Sequence, residues 1–138
     1  MGSPEGGSDI QLKQRIRLAL EAADEKKATD PVAINLKGVA SFTDCFVICT
    51  GNLRRQNQAI CDAIVEQLRD IGERPWHVEG YERGEWIMID YSDLVAHIFT
   101  PDAREFYNLE RLWGDAPRVA MARPRTPRKK GASAGRKG

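Results

Sequence analysis

Histidine and cysteine are scarce in this chain of 138 residues: only His77 and His97, and only Cys45, Cys49 and Cys61. Two histidines without ligand spacing make no metal motif, and three thiols make no even-numbered disulfide framework, so a reducing compartment is expected. Cys45 and Cys49 read as the same face of one strand, roughly 13 Å apart at about 3.3 Å per residue, too far to share a metal or a disulfide. No apolar run approaches the roughly 20 residues that span a bilayer, so no membrane association is expected. The opening "MGSPEGGS" lacks the basic and apolar regions of a secretory signal, and Gly6 breaks the myristoylation pattern. Residues 1–8 are read as a disordered leader or an added remnant outside the fold, and the expected compartment is cytoplasmic.

What remains is a soluble globular composition, 41% hydrophobic and 30% charged, at a length that builds one core. The net charge of +1 conceals two unlike parts. Residues 114–138 carry Arg118, Arg123, Arg125, Arg128, Lys129, Lys130, Arg136 and Lys137 against Asp115 alone, a net of +7, which leaves −6 for residues 1–113. An acidic body with a basic tail can touch two different partners. The tail has few apolar residues and frequent Pro and Gly, so residues 115–138 are read as disordered and 9–114 as the folded domain.

Hydrophobic spacing predicts a helix over 9–27, with Leu12, Ile16, Leu20 and Ala23 repeating behind Ser8 or Asp9 as N-cap. A short strand follows in which Val32, Ile34 and Leu36 point inward. The continuous apolar run from Cys45 to Cys49 predicts a central strand buried on both faces. After Gly51, Asn52 is placed to cap a helix over 53–71, with Ile60, Ile64, Leu68 and Ile71 on one stripe and Gly72 as its stop. "RPWHVEG", "EWIMIDY" and "DLVAHIF" read as strands. The strand–helix–strand run at 44–78 predicts a parallel pair, and 85–99 an antiparallel hairpin. The fold class is α/β, a mixed five-stranded sheet flanked by helices.

Catalytic signals are thin. "CTGNLRRQ" sets a glycine turn, a helix start, Arg54 and Arg55 together, which can cradle a phosphate or serve as a plain capped helix. "DYSD" offers Asp90 and Asp93 around a turn, either a Mg²⁺ pair or turn carboxylates that cap and solvate. His97 shares a strand face with Val95 and Phe99, where a hydrogen-bonded, semi-buried histidine is expected. No nucleophile elbow occurs.

"REFYNLERLW", residues 104–113, is the densest aromatic stretch, and Thr100-Pro101 opens it as N-cap and first helical residue. As one continuous helix at about 100° per residue, Ala103, Phe106, Tyr107, Leu109, Leu112 and Trp113 cover more than half the circumference. Glu105 and Glu110 fall inside that arc, while Arg104 and Arg111 share the polar side. An arc wider than one core stripe suggests a helix with one face on the sheet, anchored by Phe106 and Leu109, and one toward a partner or a second copy of the chain. The alternative makes Trp113 a helix-end core plug and leaves Glu110 solvated.

Three stretches, "DCFVICTGNLRRQNQAICDAI", "VEGYERGEWIMIDYSDLVAHIF" and "REFYNLERLW", closely resemble the Iojap family, the ribosomal silencing factors or RsfS proteins. The resemblance covers residues 10–114 in the family's order and spacing. It implies a nucleotidyltransferase-like fold without catalytic residues, no cofactor and no metal. It also implies binding to the large ribosomal subunit through ribosomal protein uL14, which sterically blocks joining of the small subunit and represses translation under nutrient limitation. Carried over as contacts are Trp76, His77, Glu79, Gly80, Trp86, Asp90, Tyr91, Asp93, Tyr107, Glu110 and Trp113, with Gly80 and Trp86 open to a structural reading. An active nucleotidyltransferase needs an Asp-x-Asp metal pair, whereas Asp62 here is followed by Ala63 and Ile64. The competing reading is a nucleotide-binding or nucleotidyl-transferring enzyme using Gly51, Arg54, Arg55, Asp90 and Asp93. The acidic body suits a basic ribosomal protein, and the tail suits ribosomal RNA.

Overall fold

In a computed structural model, residues 4–114 and 116–119 are described. The elements run α1 (Pro4–Glu25), β1 (Thr29–Asn35), β2 (Cys45–Thr50), α2 (Arg54–Arg69), β3 (His77–Glu79), β4 (Trp86–Asp90), β5 (Leu94–Phe99), α3 (Pro101–Tyr107) and α4 (Leu109–Leu112). One five-stranded mixed sheet has the order β1-β2-β5-β4-β3. β2 and β5 are parallel, and the other neighbours are antiparallel.

All residues of β2 and β5 are buried, as uninterrupted apolar strands at the middle of a sheet must be. The hairpin over 85–99 forms as its alternation predicts. The parallel pair differs from expectation. β3 runs in the same sense as β2 but lies at the far edge, and β5 is the parallel neighbour. The physical reason is polarity: the sequence "HVE" of β3 is exposed throughout, whereas "LVAHIF" supplies six buried positions for the centre.

One sheet face packs against α1 and α2. Leu12, Ile16, Leu20 and Ala23 of α1 and Ile60, Ile64 and Leu68 of α2 close over Cys45, Cys49, Ile87, Ile89 and Ile98. Arg15 on α1 is buried and donates to Asp93 at 2.9 and 2.6 Å, tying the helix to the β4–β5 turn. α1 begins at Pro4, inside the stretch read as a leader, so Ser8 and Asp9 lie within the helix rather than capping it. Proline suits a first helical turn, where its missing N–H costs nothing. Asn52 does not cap α2 either; Leu53 holds that position without a side-chain bond. Gln56 reaches back instead, accepting the Asn52 N–H at 2.7 Å and donating to the Lys26 and Lys27 carbonyls at the end of α1. Gly72 ends the segment as predicted, at φ 88. Ile71 lies past the helix and is exposed.

The other face carries Ile34, Leu36, Phe46, Ile48, Val95 and Phe99, with Trp113 and Leu109 packed over them. The predicted boundary at residue 114 is corrected here. Asn35 donates to the Pro117 carbonyl, Val119 donates to the Ala33 carbonyl, and Ala116 is buried. Residues 116–119 thus cover the open edge of β1, where unpaired backbone groups of a sheet edge attract a strand. Residues 120–138, most of the tail, lie outside the described residues.

The three thiols are buried, and burial pushes each up from 9.0 to about 12. In the fold they stay protonated and inert; unfolded, they ionise near their ordinary value. Stability they contribute is therefore full below pH about 9 and lost as pH rises toward about 12. Iodoacetamide at pH 8 should label none of the three until denaturant is added, and rapid native labelling would contradict their placement.

Candidate interaction surface

The second face of the sheet is covered over only half its width. Register aligns Ile48, His97, Met88 and Glu79 in one row across β2, β5, β4 and β3. Along that row exposure climbs from buried at Ile48 and His97, through intermediate Met88, to exposed Glu79. The next row repeats the gradient, from buried Phe46 and Val95 through Asp90 to exposed His77. Alternation within β4 sends Ile87 and Ile89 into the helix-covered core, so Trp86, Met88 and Asp90 all face the open side.

The cover stops because the predicted single helix breaks. Asn108 adopts φ 47, ψ 58, ends α3, and accepts from the Arg111 N–H to start α4. Asparagine tolerates this left-handed conformation better than most residues. The Thr100-Pro101 start does form, with Thr100 accepting from the Ala103 N–H. Past the break, Leu109 and Trp113 pack on the cluster of Ile34, Phe46 and Ile48 from β1 and β2, whereas β4 meets this segment through Trp86 and Tyr107 and β3 is exposed throughout. Phe106, expected as the anchor of the helix, is 79% exposed.

The open half gathers aromatic and acidic groups. The Trp86 ring lies 4.4 Å from Tyr107 and 5.1 Å from Phe99 between centroids, and its indole N–H donates to His97 Nδ1 at 3.0 Å. Phe106 packs edge-on against Tyr107 at 4.9 Å. On the edge strand, His77 Nε2 lies 3.5 Å from Glu79 and 3.8 Å from Asp90. Trp76, just before β3, is 78% exposed. His77, Glu79, Trp86, Asp90 and Tyr107 are therefore brought together at the open half of the sheet, and exposed Trp76 adjoins its edge strand. Met88 and Phe106 belong there too, and sequence reasoning missed both as surface residues. The alternation of "EWIMIDY" was the available signal for Met88.

The remaining predicted contacts do structural work. Tyr91 is buried in the helix-covered core, where burial raises its hydroxyl pKa. Asp93 is held by Arg15. Gly80 has φ 77, and a Cβ there would meet the Trp86 carbonyl oxygen at 2.1 Å, so β3 and β4 can converge only with glycine at that place. Glu110 forms a two-point pair with Arg104 at 3.0 and 2.9 Å, and that hydrogen bond, foremost, holds its carboxyl below the usual range. Trp113 packs edge-on to Phe46 at 6.4 Å, as a core plug.

The phosphate and metal constellation is not assembled. A Cβ on Gly51 would meet Asn57 Oδ1 at 2.1 Å, so the glycine admits the buried Asn57 side chain, which donates to the Gly84 carbonyl. Arg54 pairs with Glu85 at 2.9 Å. Asp90 accepts the Ser92 N–H at 2.7 Å in a turn-capping bond. Gly51 follows Thr50, which aligns with Phe99, whereas Asp90 aligns with Val95 at the other end of β5. Four strand residues put roughly 13 Å between the two ends. Among the described residues no group of three metal-ligating side chains occurs, and no helix is long and apolar enough to cross a membrane.

A family model described as "Ribosomal silencing factor during starvation" matches residues 9–137. The ribosomal silencing factor RsfS of Halalkalibacterium halodurans is 43% identical over 109 residues, covering 79% of this chain and 93% of that protein. A mouse protein named for mitochondrial assembly of the ribosomal large subunit is 28% identical over 113 residues, which are 80% of this chain and 50% of that protein. A crystal structure from Bacillus halodurans superposes with a TM-score of 0.70 at 40% identity, covering 79% of this chain and 99% of that one.

Proposed function

The chain belongs to the ribosomal silencing factor family, and from that premise we propose that it is a non-catalytic factor that binds the large ribosomal subunit through ribosomal protein uL14. Bound there, it stands in the way of the small subunit and so represses translation when nutrients are short. The observation that carries this reading is the uncovered half-sheet with Trp76, His77, Glu79, Trp86 and Asp90 exposed or half-exposed on and beside it. Aromatic anchors beside carboxylates suit a basic protein surface: the rings supply desolvated contact area, and the charges steer and register the partner. The mouse relative's name points to the same subunit. Against transferase chemistry stands the Gly51 turn filled by Asn57, with Asp90 at the opposite end of the sheet. The basic segment beyond Val119 adds phosphate contacts to ribosomal RNA, sensitive to salt. Exposed Phe42, Phe106 and Leu112 provide apolar area for a homodimer of the free protein, and the cytoplasm is its place of action.

Sucrose-gradient sedimentation with purified subunits tests the proposal. The protein should travel with the large subunit alone, and joining of the two subunits should fall as it is added. Equal binding to both subunits, or undisturbed joining, would refute it.

A further inference from the structure

His97 is 3% exposed and sits on a central strand of the sheet, so it offers a partner almost no surface. It is nonetheless a costly residue to keep there. Its ring lies edge-on to Phe46 at 4.4 Å and stacks parallel to Phe99 at 6.1 Å, in surroundings that an aliphatic side chain would fill without penalty. Nε2 has no hydrogen-bond partner among the described residues. Among the described residues its side chain makes one hydrogen bond, the 3.0 Å bond from the Trp86 indole N–H to Nδ1. Because Nδ1 accepts, the neutral ring carries its proton on Nε2, the atom left without a partner. A buried group that leaves one of its two nitrogens unsatisfied is there for the bond made by the other.

We propose that His97 is a positioning residue for the open half-sheet, fixing the indole of Trp86 in the orientation that a partner meets. The inference rests on the surface reading above. In the antiparallel register Trp86 faces Phe99, so His97 lies on the diagonal, two residues along β5. A tryptophan can lie over its direct neighbour in several orientations; a bond to the diagonal neighbour selects one. In that orientation the indole packs against Phe99, His97 and Tyr107, with centroids at 5.1, 5.9 and 4.4 Å. Rotating the indole away from His97 would strand its N–H over an apolar row and loosen Tyr107 with it. Ordering the ring before binding removes that entropy cost from the encounter, which is how a buried residue can set the affinity of an exposed one. Burial lowers the His97 pKa to about 4, so the ring remains an acceptor throughout the neutral range.

Two substitutions of matched polarity separate this role from simple packing. In His97→Asn the amide oxygen can occupy the place of Nδ1; in His97→Gln the amide reaches toward the place of Nε2 instead. The full-length protein, with ¹⁵N-labelled tryptophan, gives three indole N–H resonances, and loss of one in Trp86→Phe assigns that of Trp86. His97→Asn should keep its shift and slow solvent exchange. His97→Gln should move it toward the free-indole position and speed exchange. Affinity for the large subunit should fall about tenfold in His97→Gln and recover mostly in His97→Asn. Equal spectra and equal affinity for the two variants would overturn the proposal, whatever their melting temperatures. A loosened indole with unchanged affinity would also overturn it. If Trp86→Phe itself binds as tightly as the parent, the surface reading fails at this residue, while the resonances still decide whether His97 holds the ring.

Discussion

Trp76→Ala combined with Glu79→Lys should lower affinity for the large ribosomal subunit by on the order of a hundredfold or more while leaving the thermal melt almost unchanged. Both side chains are exposed, and neither packs on either core cluster. The backbone N–H of Trp76 still donates to Asp90, so the edge strand keeps its place after both changes. Surface substitutions of this kind alter stability by about 0.5 kcal/mol or less. Binding responds differently. A tryptophan anchor lost from an interface costs about 2 kcal/mol or more, and a like-charge contact with a basic partner costs several. Isothermal titration or co-sedimentation at moderate salt, paired with a melt, reads both quantities on one sample. Undiminished affinity would move the contact to the opposite rim, where Phe42 and Leu112 are exposed.

The sheet and the helix-covered core were legible in the sequence because each rests on a local period. Leu12, Ile16 and Leu20 recur at helical spacing, Ile87 and Ile89 alternate, and Cys45–Cys49 is unbroken, so each announces its own buried face. The place of β3 was not legible from its own residues, since a crossover fixes the direction of a strand but not how many others will be inserted beside it. The uncovered half-sheet was harder still. It exists because Asn108 breaks the helix, and asparagine at that position reads equally well as an ordinary helical surface residue. Likewise Arg15 pairs with Asp93 across 78 positions, and no window short enough to show periodicity contains both. The carried-over contacts divide the same way. Those on alternating strands, Trp86 and Asp90, lie on the open face, whereas Glu110 and Trp113 lie past Asn108, where the single helix expected over 104–113 does not continue.

Arg104 tests that last point with the largest expected loss of stability. On a continuous helix it would be a solvated residue opposite Phe106, and Phe106→Ala would be the damaging change, at about 3–5 kcal/mol. In the structure the order reverses. Phe106 is 79% exposed, so Phe106→Ala should cost about 0.5 kcal/mol or less. Arg104 is mostly buried, and its guanidinium donates to the Asp30 carbonyl at 2.7 Å, to Thr50 Oγ1 at 2.8 Å and to both carboxylate oxygens of Glu110. It joins the start of β1, the end of β2, and the two short helices on either side of the Asn108 break. Arg104→Met keeps the length of the side chain but strands a half-buried carboxylate and two acceptors, which should cost about 3 kcal/mol at neutral pH. The loss should depend on pH with a definite sign. The Arg104 hydrogen bond depresses the Glu110 pKa in the fold below its ordinary 4.5. Its contribution is therefore full above that value and disappears as pH falls through the lower, folded one. Denaturant melts of parent and Arg104→Met should accordingly lie far apart at pH 7 and draw closer as pH falls from 4.5 through the lower, folded value. Should Phe106→Ala prove the more damaging change, or the two melts stay equally far apart in acid, residues 104–113 would pack as the single helix that their sequence describes.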